Sequence, residues 1–210
     1  MDIRKFKKLP ILGILRGVKE EAIEPLVESV ISSGLETIEI TMNTKGASKL
    51  IRKMADLAKK RLTIGAGTVL AKDELKEALD SGASFIVMPT LVDEVIQECV
   101  KKKIPVFPGA LTPQEIQKAW NSGASMVKVF PVKFFGPGYL KEIKGPFQNI
   151  ELLACGGVTP ENIQSFFLAG ASAVAFGGSI FRPEWLSGGE FSKIESSAKE
   201  LINSFKNKKD

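Results

Sequence analysis

The chain has 210 residues with 29 Lys or Arg against 24 Asp or Glu, a net charge of +5, and no His at all. Apolar residues make up 44% and charged residues 25%, the balance of a folded globular chain long enough for one substantial core. The missing His excludes Ser-His-Asp and Cys-His nucleophile systems and any His-ligated metal, so acids, bases and nucleophiles must come from Lys, Glu, Asp, Tyr, Ser, Thr or Cys.

The charge surplus lies at the ends. Residues 1–8 carry +3 and residues 204–210 carry +2, which leaves residues 9–203 neutral. A folded body without a basic stripe argues against a nucleic-acid partner, and the two ends read as solvated charged tails. Cys99 and Cys155 form no Cys-x-x-Cys pair, and no apolar run reaches the roughly 18 residues of a membrane helix. The short run after the basic start is broken by Gly13 and ended by Arg16, a poor signal peptide. The expectation is a cytoplasmic protein with no membrane and no nucleic-acid partner.

In chain order, strand-like runs occur at 11–16 (ILGILR), 37–42 (TIEITM), 62–69 (LTIGAGTV), 85–89 (FIVMP), 105–110 (PVFPGA), 126–131 (MVKVFP), 150–158 (IELLACGGV) and 173–179 (AVAFGGS). Between them, apolar residues recur at helical spacing, as in 20–33, 45–60 and 92–103. Gly34, Gly82, Gly123 and Gly170 each follow such a stretch and suit the left-handed position past a helix end. Eight strand–helix units in about 200 residues predict a single-domain (β/α)8 barrel over 1–210, with an open doubly wound sheet as the alternative.

Chemistry in such a barrel gathers where the strands end. Lys128 interrupts an apolar strand, where a charged ammonium is costly and a free amine can attack a carbonyl; the alternative is a long side chain snorkelling out. Glu39, between Ile38 and Ile40, suits proton transfer or a structural ion pair with Arg16 or Lys128. Arg16 and Thr68, near the ends of the first and third strands, offer donors to a carboxylate or phosphate, or else cap local structure. GAGT at 65–68 is not a dinucleotide loop, because Leu70 stands at the third glycine position. Gly156–Gly157 and Gly177–Gly178 end the last two strands, where backbone N–H groups of these barrels often hold phosphate.

Together IEIT, GAGTV, VKVFP, GPF (145–147), GGV (156–158) and GGS (177–179), in register from about residue 10 to 182, resemble the 2-keto-3-deoxy-6-phosphogluconate aldolase family, also active on 4-hydroxy-2-oxoglutarate. The resemblance implies a class I aldolase on a (β/α)8 barrel, without metal or cofactor, usually a homotrimer acting on a small 2-keto-3-deoxy acid. It implies that Lys128 forms the Schiff base and Glu39 is the acid/base. Thr68 would bind the pyruvate carboxylate region and Pro89 would line the pocket. Gly156, Gly157, Gly177, Gly178 and Ser179 would hold the phosphate. Departures from the family are Asn43, where many relatives have an Arg that Arg16 would replace, Cys155 where Thr is common, and VKFFGPG (132–138) in place of Ala-Glu. Lys133 is a second amine, expected in solvent beyond the strand end. Another phosphosugar lyase or isomerase on the same barrel, or a phosphate-ester-binding barrel without catalysis, remain the alternatives.

Overall fold

The computed structural model describes residues 1–207. Eight parallel strands alternate with helices: β1 (Ile11–Leu15), β2 (Thr37–Thr41), β3 (Thr63–Gly67), β4 (Ile86–Val87), β5 in two pieces (Val106–Phe107 and Gly109–Ala110), β6 (Val127–Val129), β7 (Leu152–Cys155) and β8 (Ala173–Phe176). Neighbours in sequence are neighbours in the sheet, and β1 pairs with β8. Closure runs through β5. Its first piece pairs with β4 (Val106 opposite Ile86) and its second with β6 (Gly109 opposite Lys128), either side of Pro108. Pro108 has no N–H to give to a ladder, so the strand breaks there without losing its place. The sheet is therefore a barrel and not an open doubly wound sheet.

The expected helices form, trimmed by a few residues: α2 (Ile23–Ser32), α3 (Ala47–Ala58), α4 (Lys72–Asp80), α5 (Asp93–Lys101), α6 (Pro113–Asn121), α7 (Pro137–Lys144), α8 (Ile163–Leu168), α9 (Pro183–Gly188) and α10 (Phe191–Lys206), preceded by a one-turn α1 (Ile3–Phe6). Gly34, Gly82, Gly123 and Gly170 sit at φ of +83°, +96°, +94° and +95°, a conformation that disfavours any side chain and so stops each helix. No helix among the described residues is long and apolar enough to cross a membrane.

Strand side chains alternate between two cores. Ile38, Ile40, Val127 and Val129 face outward into the layer shared with the helices, while Leu12, Phe85, Val87, Phe107, Met126 and Leu153 fill the bore. The amino-terminal segment belongs to this second core, which corrects its reading as a charged tail. Asp2 caps α1 by accepting from the Arg4 and Lys5 amides, and Phe6 is buried with its ring centroid 6.1 Å from that of Phe107. Lys7 and Lys5 pair with Glu151 (2.8 Å) and Glu36 (3.5 Å), and the terminal ammonium donates to the Ser84 carbonyl (3.1 Å). Those partners precede β7, β2 and β4, so α1 plugs the amino end of the barrel. At the other terminus residues 204–206 form the end of α10, and Lys208, Lys209 and Asp210 lie outside the described residues.

Phe6→Ala removes that plug and leaves a cavity in the bore, so it is expected to destabilise the fold by about 3 kcal/mol in urea denaturation. A loss below about 1 kcal/mol would mean that α1 lies loosely on the barrel.

Candidate active site

The carboxyl end of the barrel opens into a cavity of about 430 Å³ lined by residues from β1, β3, β4, β6, β7, β8 and the loops after them. Arg16, Thr68, Pro89, Lys128, Gly156, Gly157, Gly177, Gly178 and Ser179 all border it. All of the proposed catalytic and substrate-binding residues except Glu39 therefore border one cavity, although together they span more than 160 positions of the chain.

Lys128 follows from strand alternation. Val127 and Val129 point to the helix layer, so Lys128 points into the bore, where it is 6% exposed. Its Nζ stands 5.3 Å from the centre of the Phe130 ring. Glu39, on β2, is also buried, at 1% exposed. Burial pushes its carboxyl up to about 6, and the Lys128 and Arg16 cations hold it back from rising further. Glu39 Oε2 has no hydrogen-bond partner among the described residues and is a free buried acceptor. Room for the carboxylate comes from Gly67, since a Cβ there would stand 2.3 Å from Glu39 Oε1.

Arg16 leaves the end of β1 and is fixed by two neighbours. It donates to the Asn43 side-chain oxygen (2.7 Å) and to the Thr68 hydroxyl (3.2 Å). Asn43, read from the sequence as a departure from the family's arginine, thus holds Arg16. Thr68 sits at φ +56°, uncomfortable for a β-branched residue. The bond to Arg16 helps keep it there. Cys155 is buried at the end of β7; burial pushes its thiol up while the adjacent Lys128 cation opposes the shift.

The two glycine pairs form the other wall. Gly156 and Gly157 have φ of +111° and +74°, so the β7 loop turns in a way that leaves amide groups bare of side chains. The Ser179 hydroxyl donates to the Val158 carbonyl (2.9 Å), tying the β8 loop to the β7 loop. Asn162 donates to the Gly157 carbonyl (2.7 Å) and accepts from the Thr159 amide (2.8 Å), which fixes the β7 loop from behind.

Ile14, Phe130 and Ala175 also line the cavity, and the sequence reading did not single them out. Period-two counting finds each: they lie two residues from Arg16, Lys128 and Gly177 on the same inward row. Cys155, read only as a departure from the family, lines the cavity too.

Ionised Glu39 is a liability to the fold. Because its folded-state pKa of about 6 exceeds the ordinary 4.5, the protein is relatively stabilised below about pH 4.5 and loses that stability as pH rises through 6. Glu39→Gln is therefore expected to raise stability at pH 7.5 by about 2 kcal/mol, with the gain gone at pH 4.5. Urea midpoints of both proteins at the two pH values measure it; equal stability at pH 7.5 would contradict the burial cost.

Comparison with known proteins agrees with this arrangement. A sequence model of the KDPG and KHG aldolases matches residues 3–197. The 2-dehydro-3-deoxy-6-phosphogalactonate aldolase of Escherichia coli (strain K12) is 35% identical over 176 residues, 83% of this chain and 86% of the relative. The 2-dehydro-3-deoxy-phosphogluconate aldolase of Pseudomonas aeruginosa is 31% identical over 204 residues, 96% of this chain and 90% of the relative. Among solved structures, a KDPG aldolase from Legionella pneumophila, holding pyruvate as a covalent carbinolamine intermediate, superimposes with a TM-score of 0.85 at 25% identity, covering 91% of this chain and 93% of that one. With a family match across nearly its whole length and a fold that superimposes on a family structure, this chain belongs to the KDPG/KHG aldolase family.

Proposed function

We propose that the chain is a metal-independent class I aldolase in which Lys128 forms a Schiff base with a 2-keto-3-deoxy-6-phospho sugar acid and releases pyruvate and glyceraldehyde 3-phosphate. 4-Hydroxy-2-oxoglutarate, cleaved to pyruvate and glyoxylate, is the unphosphorylated second substrate. The observation that carries the reading is a buried Lys128 that borders the cavity, within electrostatic reach of an equally buried Glu39.

The Lys128 amine adds to C2 of the keto acid, and loss of water gives an iminium ion. That cation accepts the electron pair of the C3–C4 bond as it breaks, so no metal is required. Glu39 does not itself line the cavity. It acts through a bridging water on its free Oε2, taking the proton from the C4 hydroxyl and returning one to the enamine carbon. A carboxyl held near 6 is matched to giving and taking protons at neutral pH. Arg16 and Thr68 hold the carboxylate of the pyruvate half, and Pro89 packs against it. Gly156, Gly157, Gly177, Gly178 and Ser179 receive the phosphate on backbone N–H groups. Whether the sugar acid is the gluconate or the galactonate epimer is decided at C4, the carbon whose hydroxyl gives up its proton. The E. coli and P. aeruginosa relatives bear the names of one epimer each.

We further propose that the enzyme works in the cytoplasm as a homotrimer. Phe134 and Phe135, 73% and 55% exposed beyond β6, supply apolar surface that a neighbouring subunit would cover. Light scattering at three times the mass of one chain supports the trimer, and the mass of one chain contradicts it.

Borohydride added with pyruvate is expected to fix a covalent adduct on Lys128, located by peptide mass spectrometry. Lys128→Met should lose the adduct and at least about a thousandfold in kcat for pyruvate release, the scale of removing a covalent nucleophile. An adduct on another residue, or activity surviving in Lys128→Met, would overturn the reading and favour a different lyase or isomerase on the same barrel.

A further inference from the structure

We propose that Lys133 is the cation that holds the substrate's phosphate against the glycine loops, and that it sets the preference for a phosphorylated over an unphosphorylated keto acid. The inference deepens the aldolase reading above and rests on it.

Three cations border the cavity, namely Arg16, Lys128 and Lys133, and no carboxylate does. Two of the three are committed. Arg16 spends its terminal nitrogens on Asn43 and Thr68, and Lys128 is buried in the bore. On the glycine-loop side the polar side chains are committed as well, Ser179 to the Val158 carbonyl and Asn162 to the Gly157 carbonyl. Backbone amides alone offer a phosphate dianion hydrogen bonds but no full charge.

Lys133 meets that need by position. A Cβ on Gly157 would lie 2.8 Å from the Lys133 Cβ, and one on Gly156 would lie 3.7 Å from it. The lysine stem is thus the surface against which the first glycine loop turns. Its ammonium, at the end of a flexible four-carbon stem, is exposed and takes part in no ion pair among the described residues. At present it rests 5.2 Å from the centre of the exposed Phe134 ring. Among the described residues, a weak cation–aromatic contact is all that holds it there, so swinging it to an incoming phosphate breaks no strong bond. A keto acid that ends in a short carboxylate or an uncharged group would leave this end of the cavity unfilled and gain nothing from Lys133.

Two measurements on wild type, Lys133→Gln and Lys133→Arg test the assignment. The first is calorimetric binding of inorganic phosphate; the second is pyruvate release from 2-keto-3-deoxy-6-phosphogluconate and from 4-hydroxy-2-oxoglutarate. In Lys133→Gln, phosphate binding is expected to weaken about fivefold, and the ratio of kcat/KM for phosphorylated over unphosphorylated substrate to fall by a similar factor through KM. Lys133→Arg should restore both. The wild-type KM for the phosphorylated substrate should also climb more steeply with added salt than that of Lys133→Gln. If Gln binds phosphate as wild type does, or if both substrates suffer alike, the proposal is overturned. If phosphate binding depends on Lys133 while the wild type releases no pyruvate from either acid, the phosphate-binding role of Lys133 stands, and the aldolase reading falls together with the substrate preference built on it.

Discussion

A lysine and a glutamate, both buried, share the bore of this barrel, and several features of the upper barrel accommodate them. Glu39 is 1% exposed and Lys128 6% exposed. Neither would be stable there alone, since burying an isolated charge is among the most expensive things a fold can do. The positive charges of Lys128 and Arg16 keep the Glu39 carboxyl from rising beyond about 6. The same confinement that costs stability sets a proton-transfer group near neutrality.

The lower barrel has the opposite composition. Leu12, Phe85, Phe107, Met126 and Leu153 fill it, and Phe6 closes it from below. This packed apolar floor lies beneath the level of the cavity, which Lys128 borders at the strand ends. Gly65 and Gly67 on β3 divide the two regions. A Cβ at Gly65 would meet the Phe85 ring at 2.4 Å, and one at Gly67 would meet Glu39 at 2.3 Å. Both glycines of GAGT thus make space inside the bore, one for an aromatic ring and one for the carboxylate.

Much of this was legible in the sequence because the relevant signals are local. Eight apolar strands with a glycine after each helix are visible along the chain, and Lys128 and Glu39 stand out as charges where alternation and burial call for apolar residues. What escaped depends on contacts between distant segments. A four-residue helix surrounded by lysines reads as a solvated tail, because only the assembled bore provides a place for Phe6. Asn43 reads as the loss of an arginine, because its bond to Arg16 spans 27 positions. Lys133 reads as a surface lysine, because its contact with Gly157 joins the loop after β6 to the loop after β7.

Deuterium exchange at the methyl group of pyruvate, followed by proton NMR in D2O, reports on Lys128 and Glu39 in a single observation. Exchange requires both a Schiff base that acidifies the methyl carbon and a base to remove its proton, with no aldehyde present. Wild type should exchange, at a rate that rises with pH through about 6 as Glu39 ionises. Glu39→Gln should exchange at least about a hundredfold more slowly while still forming the Lys128 adduct. Exchange as fast in Glu39→Gln as in wild type, or no exchange in wild type at any pH, would contradict the pairing of these two buried charges as the reacting centre.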